Sequence, residues 1–427
     1  MRSLKAGLIT GSLLTPLLVA GAMLAQAGPA AASTAGHHQG AVFVAKNASS
    51  SGSGQSCNSA RYSTITAGLK AARPGSAVVV CPGTYHEQVV IKKPVSLVGL
   101  HATINQNGVT PSLVVNVPHV GKLTIFAGVV ILSSHVNIQG FTATNALGEG
   151  ILAAGIHGDI SNVSIKHNAV VHNDLGGGVP PASSYFECQP QGPVPGDCGE
   201  GVHFIAVANS TVSGNFVAHN SGGVLLTDET GPTHNNLIAN NIVTRNESDC
   251  GITVPGHNPA ALNAQGQPQP SVAGVYDNVI AHNVVTFNGL KGEGAGVLFA
   301  NATAGTASYN NLVTGNFIAG NGLSGVTMHA HTLKPGEFEL LSGNKIVGNR
   351  IGTNNIDGDT LDSPASPEDL KTTGVLVFSG GTPVSVVIAH NHISNNHFGI
   401  WLSKPVTAFG LGTNSFHNVF KPVSAGH

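Results

Sequence analysis

"GNFVAHN" (214–220), "NNIVTRN" (240–246) and "HNVVTFN" (282–288) decide how this chain folds. Each holds an Asn, four residues, then another Asn. The pattern returns in "HNAVVHN" (167–173), "GNFIAGN" (315–321), "GNKIVGN" (343–349) and "HNHISNN" (390–396). The first Asn residues are 168, 215, 241, 283, 316, 344 and 391, at spacings of 47, 26, 42, 33, 28 and 47. A Gly-led apolar run follows each: "GVHFI" (201–205), "GVLLT" (223–227), "GITVP" (251–255), "GVLFA" (296–300), "GVTMH" (325–329), "GVLVF" (374–378) and "GIWLS" (399–403). A fixed core pattern with a variable period marks a solenoid with loop insertions. No unit carries a helix-length periodic pattern, which argues against leucine-rich and α-solenoid repeats. The reading is an all-β parallel β-helix, each coil adding one rung about 4.8 Å above the last. Asn side chains stack at the corners, and Asn tolerates the left-handed backbone that corners need.

The register assigns faces. Counting from each leading Gly, positions +1 and +3 turn into the core: Val202 and Phe204, Val224 and Leu226, Ile252 and Val254, and so on to Ile400 and Leu402. Positions +2, +4 and +6 turn outward. The outward set includes His203, Trp401, Thr227, His329, Glu229, His257 and His331. Glu229 and His257 therefore fall on adjacent coils, one rung apart. Asp228, between outward positions, is expected to turn inward or bond the turn backbone. Only 9% of the chain is Asp, Glu, Lys or Arg, so "LLTDETGPTHNN" (225–236) stands out.

The termini bound the domain. Arg2 and Lys5 precede an apolar run over 6–25, with cleavable small residues at Ala25-Gln26-Ala27 and Ala30-Ala31-Ala32. Residues 1–32 read as a secretory signal peptide cut after 27 or 32, which makes the protein secreted and extracellular. Residues 33–56 read as a flexible leader, 57–420 as one β-helix domain and 421–427 as a C-terminal tail. No other apolar run is long enough to span a bilayer, so no stable membrane span is expected after cleavage. Net charge is −2, with no basic stripe to bind nucleic acid. Five Cys suit export, with expected bridges Cys57–Cys81 and Cys188–Cys198 and Cys250 left as the odd residue. Ser63 can cap a short helix carrying Ile65, Leu69 and Ala72 on one face, which Pro74-Gly75 ends.

That opening, with "PGTYHEQVVIKKPVSLVG" (82–99) at its centre, resembles the start of the right-handed parallel β-helix proteins of the pectate-lyase-like superfamily. It is most similar to the NosD-like subgroup. The resemblance spans residues 60 to about 420 and is specific for fold. It implies a short N-terminal helix capping the solenoid, and a protein that acts on or binds glycans. It fixes no reaction. The polygalacturonase-like set of Asn-Thr-Asp, Asp-Asp and Gly-His-Gly is missing, "PGHN" (255–258) being a faint echo. The pectin-methylesterase Asp–Arg pair is not visible, and Arg245 and Arg350 lie at corners rather than beside Glu229.

Three readings follow. In the first, the protein is a polysaccharide lyase or glycoside hydrolase. Glu229 and His257 form an acid–base pair with Asp228 orienting, because a carboxylate beside an imidazole tunes both. His203, His329, His331 and Trp401 then contact a polysaccharide or cell-surface glycan. In the second, the protein is a non-catalytic glycan-binding scaffold, "DETG" is a capped turn and the His residues are polar surface. In the third, it is a NosD-like metal-binding module, with His329 and His331 as candidate ligands for zinc or copper and acidic turns for calcium. A monomer is expected. Insertions at 174–201, 258–277 and 356–374 are expected to wall the outward face.

Overall fold

The computed structural model describes residues 40–117, 121–174, 199–292, 294–301, 303–330, 337–358 and 371–426. The expected signal peptide, Cys188, Cys198 and His331, and most of the insertions at 174–201 and 356–374, lie outside the described residues. The chain is a right-handed parallel β-helix. Among the described residues every strand pairing is parallel except one hairpin, Val114–Val117 with Gly121–Thr124. No described helix is long and apolar enough to cross a membrane.

The Gly-led runs form one sheet of eleven strands, from Val89–Ile91 to Lys421–Ala425. Its +1 and +3 side chains fill a single core that runs the length of the solenoid. Burying each such Val, Ile, Leu or Phe stabilises by about 1.5–3 kcal/mol. The leading Gly is sterically required. A Cβ at Gly223 would lie 2.1 Å from the Gly251 carbonyl oxygen and 2.4 Å from Val243 Cγ1. The Asn corners border two columns of short strands, such as Leu237–Ala239 with Val279–Ala281 and Ile242–Thr244 with Val284–Thr286. A five-stranded sheet, Ile160–Ser161 through Ser308–Tyr309, closes part of the coil.

The Asn residues form three ladders rather than two. One runs 168, 215, 241, 283, 316, 349, 391, 414. A second runs from Asn173 through Asn220, Asn246, Asn288 and Asn321 to Asn354, with Asn354 N–H donating to Asn396. The third links Asn236, Asn278, Asn311 and Asn344. Three corners five residues apart correct the alignment of one coil. "GNKIVGN" is displaced by one corner, and Asn349 and Asn354 continue the two recognised columns. A further correction concerns the backbone. The left-handed residue is the one before the ladder Asn, as in His167, His172, His219, Arg245, His282, Phe287 and His390, with φ of 52–58°. The Asn itself supplies the ladder's hydrogen bonds. Asn241, for example, gives its N–H and its Nδ2 to Asn283 Oδ1, at 2.9 and 3.0 Å, and Nδ2 also to Val212 O.

The domain limits move outward at both ends. Val42–Val44, inside the expected leader, pairs with Val78–Val80 because Val44 is an apolar core residue. Lys421–Ala425, the expected tail, pairs with Phe398–Leu402 and completes a rung. The helix α1 (Ile65–Ala71) is capped by Thr64 rather than Ser63, its hydroxyl taking the Ala67 N–H. Glu87 adds its carboxylate to the Ile65 and Thr66 N–H groups. Ile65, Leu69 and Ala72 are buried against the first coils. Cys57 and Cys81 are disulfide-bonded, as expected. Cys250 is buried, its Sγ taking the Ala295 N–H at 3.1 Å.

Candidate functional site

The stretch 225–236 divides as the register requires. Leu226 enters the core, and Thr227 ends the strand Val224–Thr227. Residues 228–231 turn, with Gly231 N–H donating to Asp228 O. Thr230 Oγ1 donates to Gly155 O at 2.7 Å. His234 stacks on Tyr276, away from Glu229.

The two side chains that the register sets one rung apart are in contact. His257 Nδ1 lies 2.7 Å from Glu229 Oε1, and each side chain is 13% exposed. Burial would raise the Glu229 pKa. The His257 hydrogen bond and charge, aided by His203 and Thr227, outweigh it and hold the carboxyl at about 2. Glu229 is therefore an ionised acceptor, and His257 donates Nδ1–H to it. Nδ1 is thereby the protonated ring nitrogen on this side, and Nε2 is the one that Glu229 does not hold.

Asp228 turns inward and bonds backbone, as the register expects, and so bears on His257 through its main chain and not its ring. It is fully buried, and both oxygens are spent on backbone N–H groups: His257 and Asn258 on Oδ1, at 2.7 and 3.1 Å, and Gly274 on Oδ2, at 2.7 Å. Burial and the Glu229 charge push its carboxyl up to about 7, against those N–H donors. It fixes the segment that carries His257 and is a positioning residue.

A chain of buried groups runs inward from the pair. Thr227 Oγ1 donates to Glu229 Oε2. His203 Nε2 lies 2.9 Å from Thr227 Oγ1, and His203 Nδ1 lies 3.2 Å from Glu149 Oε1. Burial pushes the Glu149 carboxyl up to about 8. The leading charges acting on Glu149, Asp228 and Glu229 come from Asp174, His203, His257 and one another.

Of the other expected contact residues that are described, His203 joins this chain of groups, while His329 and Trp401 are found elsewhere. His203 is 1% exposed, His329 3% and Trp401 3%. Trp401 packs with Leu376 and Phe398 instead of presenting a stacking surface. His203, His329 and Trp401 are all buried, so these outward positions do not present them to solvent. No described cluster of metal-ligating groups includes His329; the one found joins Glu149, Glu200 and His203. Glu149, Glu200 and Thr227 were missed as site residues. Their signal was present: "GEG" occurs at 148–150 and 199–201, placing a Glu before the leading Gly of two adjacent coils.

Comparison with known proteins matches this architecture. The chain is similar to an alginate lyase from Paenibacillus sp. str. FPU-7, at 11% identity and a TM-score of 0.50, over 90% of this chain and 99% of that one. It is also similar to pectate lyase Pel9A, at 15% identity and TM-score 0.44, over 82% and 78%. A third likeness is to the mannuronan C-5 epimerase AlgE4 A-module of Azotobacter vinelandii, at 13% and 0.35, over 82% and 88%. At such identities the likeness is one of fold. It does not extend to the NosD-like subgroup. No curated protein matches the chain. Residues 47–284, more than half the chain and including every residue of the Glu149-to-His257 network, match the right-handed β-helix family described as a protein of unknown function, DUF1565, and the chain belongs to that family.

Proposed function

We propose that this is an exported protein that cleaves a polymeric glycan, with His257 as the proton-transfer group and Glu229 as the carboxylate that orients and charges it. The observation that carries this reading is the 2.7 Å contact between Glu229 Oε1 and His257 Nδ1 at the only partly exposed end of an otherwise buried polar chain. A His whose Nδ1–H is held by a carboxylate has its tautomer fixed and its imidazolium stabilised, which suits general acid–base work. Asp228 holds the backbone of His257 in place. Export is supported by the signal-peptide pattern and by the Cys57–Cys81 bridge.

The charges favour a neutral glycan and hydrolysis. The ionised Glu229 repels the carboxylates of a polyuronate, which a lyase must neutralise before the α-proton leaves. The test is product release from a panel of neutral and uronic polysaccharides. New reducing ends from a neutral polymer, without the ultraviolet absorbance of an unsaturated uronide, are expected. Unsaturated products from a uronate would overturn the hydrolytic reading. One observation favours a non-catalytic glycan-binding scaffold instead: the outward face is mostly buried. That reading predicts retention on a glycan column and no product from any polymer.

A further inference from the structure

Glu149 and Glu200 precede the leading Gly on adjacent coils, and His203 lies three residues after Glu200. Their exposures are 0%, 1% and 1%. One ligand atom from each lies within 4.8 Å of the others. Glu149 Oε2 is buried with no hydrogen-bond partner.

The neighbouring hydrogen bonds fix the ring. Thr227 gives its single hydroxyl proton to Glu229, so its oxygen takes Nε2–H from His203. In a neutral ring this leaves the Nδ1 lone pair facing Glu149 Oε1 at 3.2 Å. A lone pair facing a carboxylate oxygen is repulsive unless a cation lies between them. A proton, on Oε1 or on Nδ1 of a charged ring, answers that contact alone. It leaves Oε2 unanswered and the Glu200 carboxyl close by.

We propose that Glu149, Glu200 and His203 Nδ1 form a mononuclear site for a divalent transition metal, with zinc as the fitting ion. Two carboxylates and an imidazole are the mixed oxygen and nitrogen donors that zinc accepts. With bonds of about 2.1 Å, tetrahedral zinc has ligand–ligand edges of about 3.4 Å. The Glu149–His203 edge already measures 3.2 Å. Calcium takes six to eight oxygens, which three protein donors with one nitrogen among them do not supply. The hydroxyl of Thr227 is then the outer partner that fixes the ligand's tautomer, joining the metal to Glu229 through two hydrogen bonds. The proposal is independent of the glycan reading, because metal binding is measured with no glycan present.

The test uses the untagged full chain, stripped with chelator and titrated with zinc chloride. Bound metal is read by equilibrium dialysis with elemental analysis, and thermal unfolding is followed in parallel. One zinc per chain and a raised Tm are expected. Glu149→Gln should weaken binding at least about 10-fold, and Thr227→Val, which leaves all three ligands in place, by about 10-fold or more. His282→Gly, at a corner, should leave it unchanged. Should Glu149→Gln fail to fold, Thr227→Val carries the test. No bound zinc would overturn the proposal, with a proton then serving the cluster. So would zinc that binds Thr227→Val or Glu149→Gln as tightly as the wild type, since the chain's 21 His offer adventitious sites.

Discussion

His282 occupies an Asn corner, and His257 lies on the outer side of the Gly-led sheet. Both look alike in sequence: each is a His beside an Asn. His282 has φ of 56°, is exposed, and precedes a ladder Asn that any corner in the solenoid could supply. His257 is held by the Glu229 carboxylate, and its side chain is largely buried. The corners gain stability by making every rung the same. The outer face gathers chemistry by making each rung different: Glu149, then Glu200 with His203, then Thr227 with Glu229, then His257. In a solenoid, repetition marks structure, and departure from repetition marks a candidate site.

For stability, the largest effect is expected in the ladder. Asn283 takes two hydrogen bonds from Asn241 and gives two, to Ile238 O and Asn316 Oδ1. Asn283→Ala should cost about 3–4 kcal/mol, since it strands a buried N–H and carbonyl. Denaturant unfolding measures this, and a cost below about 1 kcal/mol would remove the ladder's claim to hold the fold.

The next effect is pH-dependent and belongs to the outer face. Glu229 sits at about 2, below the ordinary 4.5 of an unfolded Glu. Its ionised form therefore stabilises the fold fully above pH 4.5, and this is lost as pH falls towards 2. The size is at most about 3 kcal/mol. Glu229→Gln should flatten that acid limb of the Tm–pH curve. An unchanged limb would mean that His257 does not hold the carboxylate. The smallest effect is at the corner. His282→Gly relieves a left-handed non-Gly residue and should be neutral or stabilise by about 1 kcal/mol. A clear loss of stability would give His282 more than a corner role.

The coil and its core were legible because Gly, Asn and alternating apolar residues each answer one steric or hydrogen-bonding need on every rung. Glu229 and His257 were legible from the same register. Coverage was not. Strand alternation says to which side a residue such as Trp401 turns, and not what packs over it, here Leu376 and Phe398. The third ladder was hidden because Asn344 and Asn349 satisfy the same five-residue spacing in two registers. Glu149 and Glu200 were passed over because the count began at the Gly that follows them. The domain ends were misplaced because a three-residue strand such as Val42–Val44 leaves almost no periodicity to read.

The central claim is that the Glu229–His257 pair is the working site. Its most direct test is the initial rate of product release from a cleaved glycan, measured for the wild type, Glu229→Gln, His257→Ala and the corner control His282→Gly at matched folded concentration. A loss of about 10²–10⁴-fold is expected for the two pair variants and an unchanged rate for His282→Gly. Wild-type rates in Glu229→Gln and His257→Ala would contradict it.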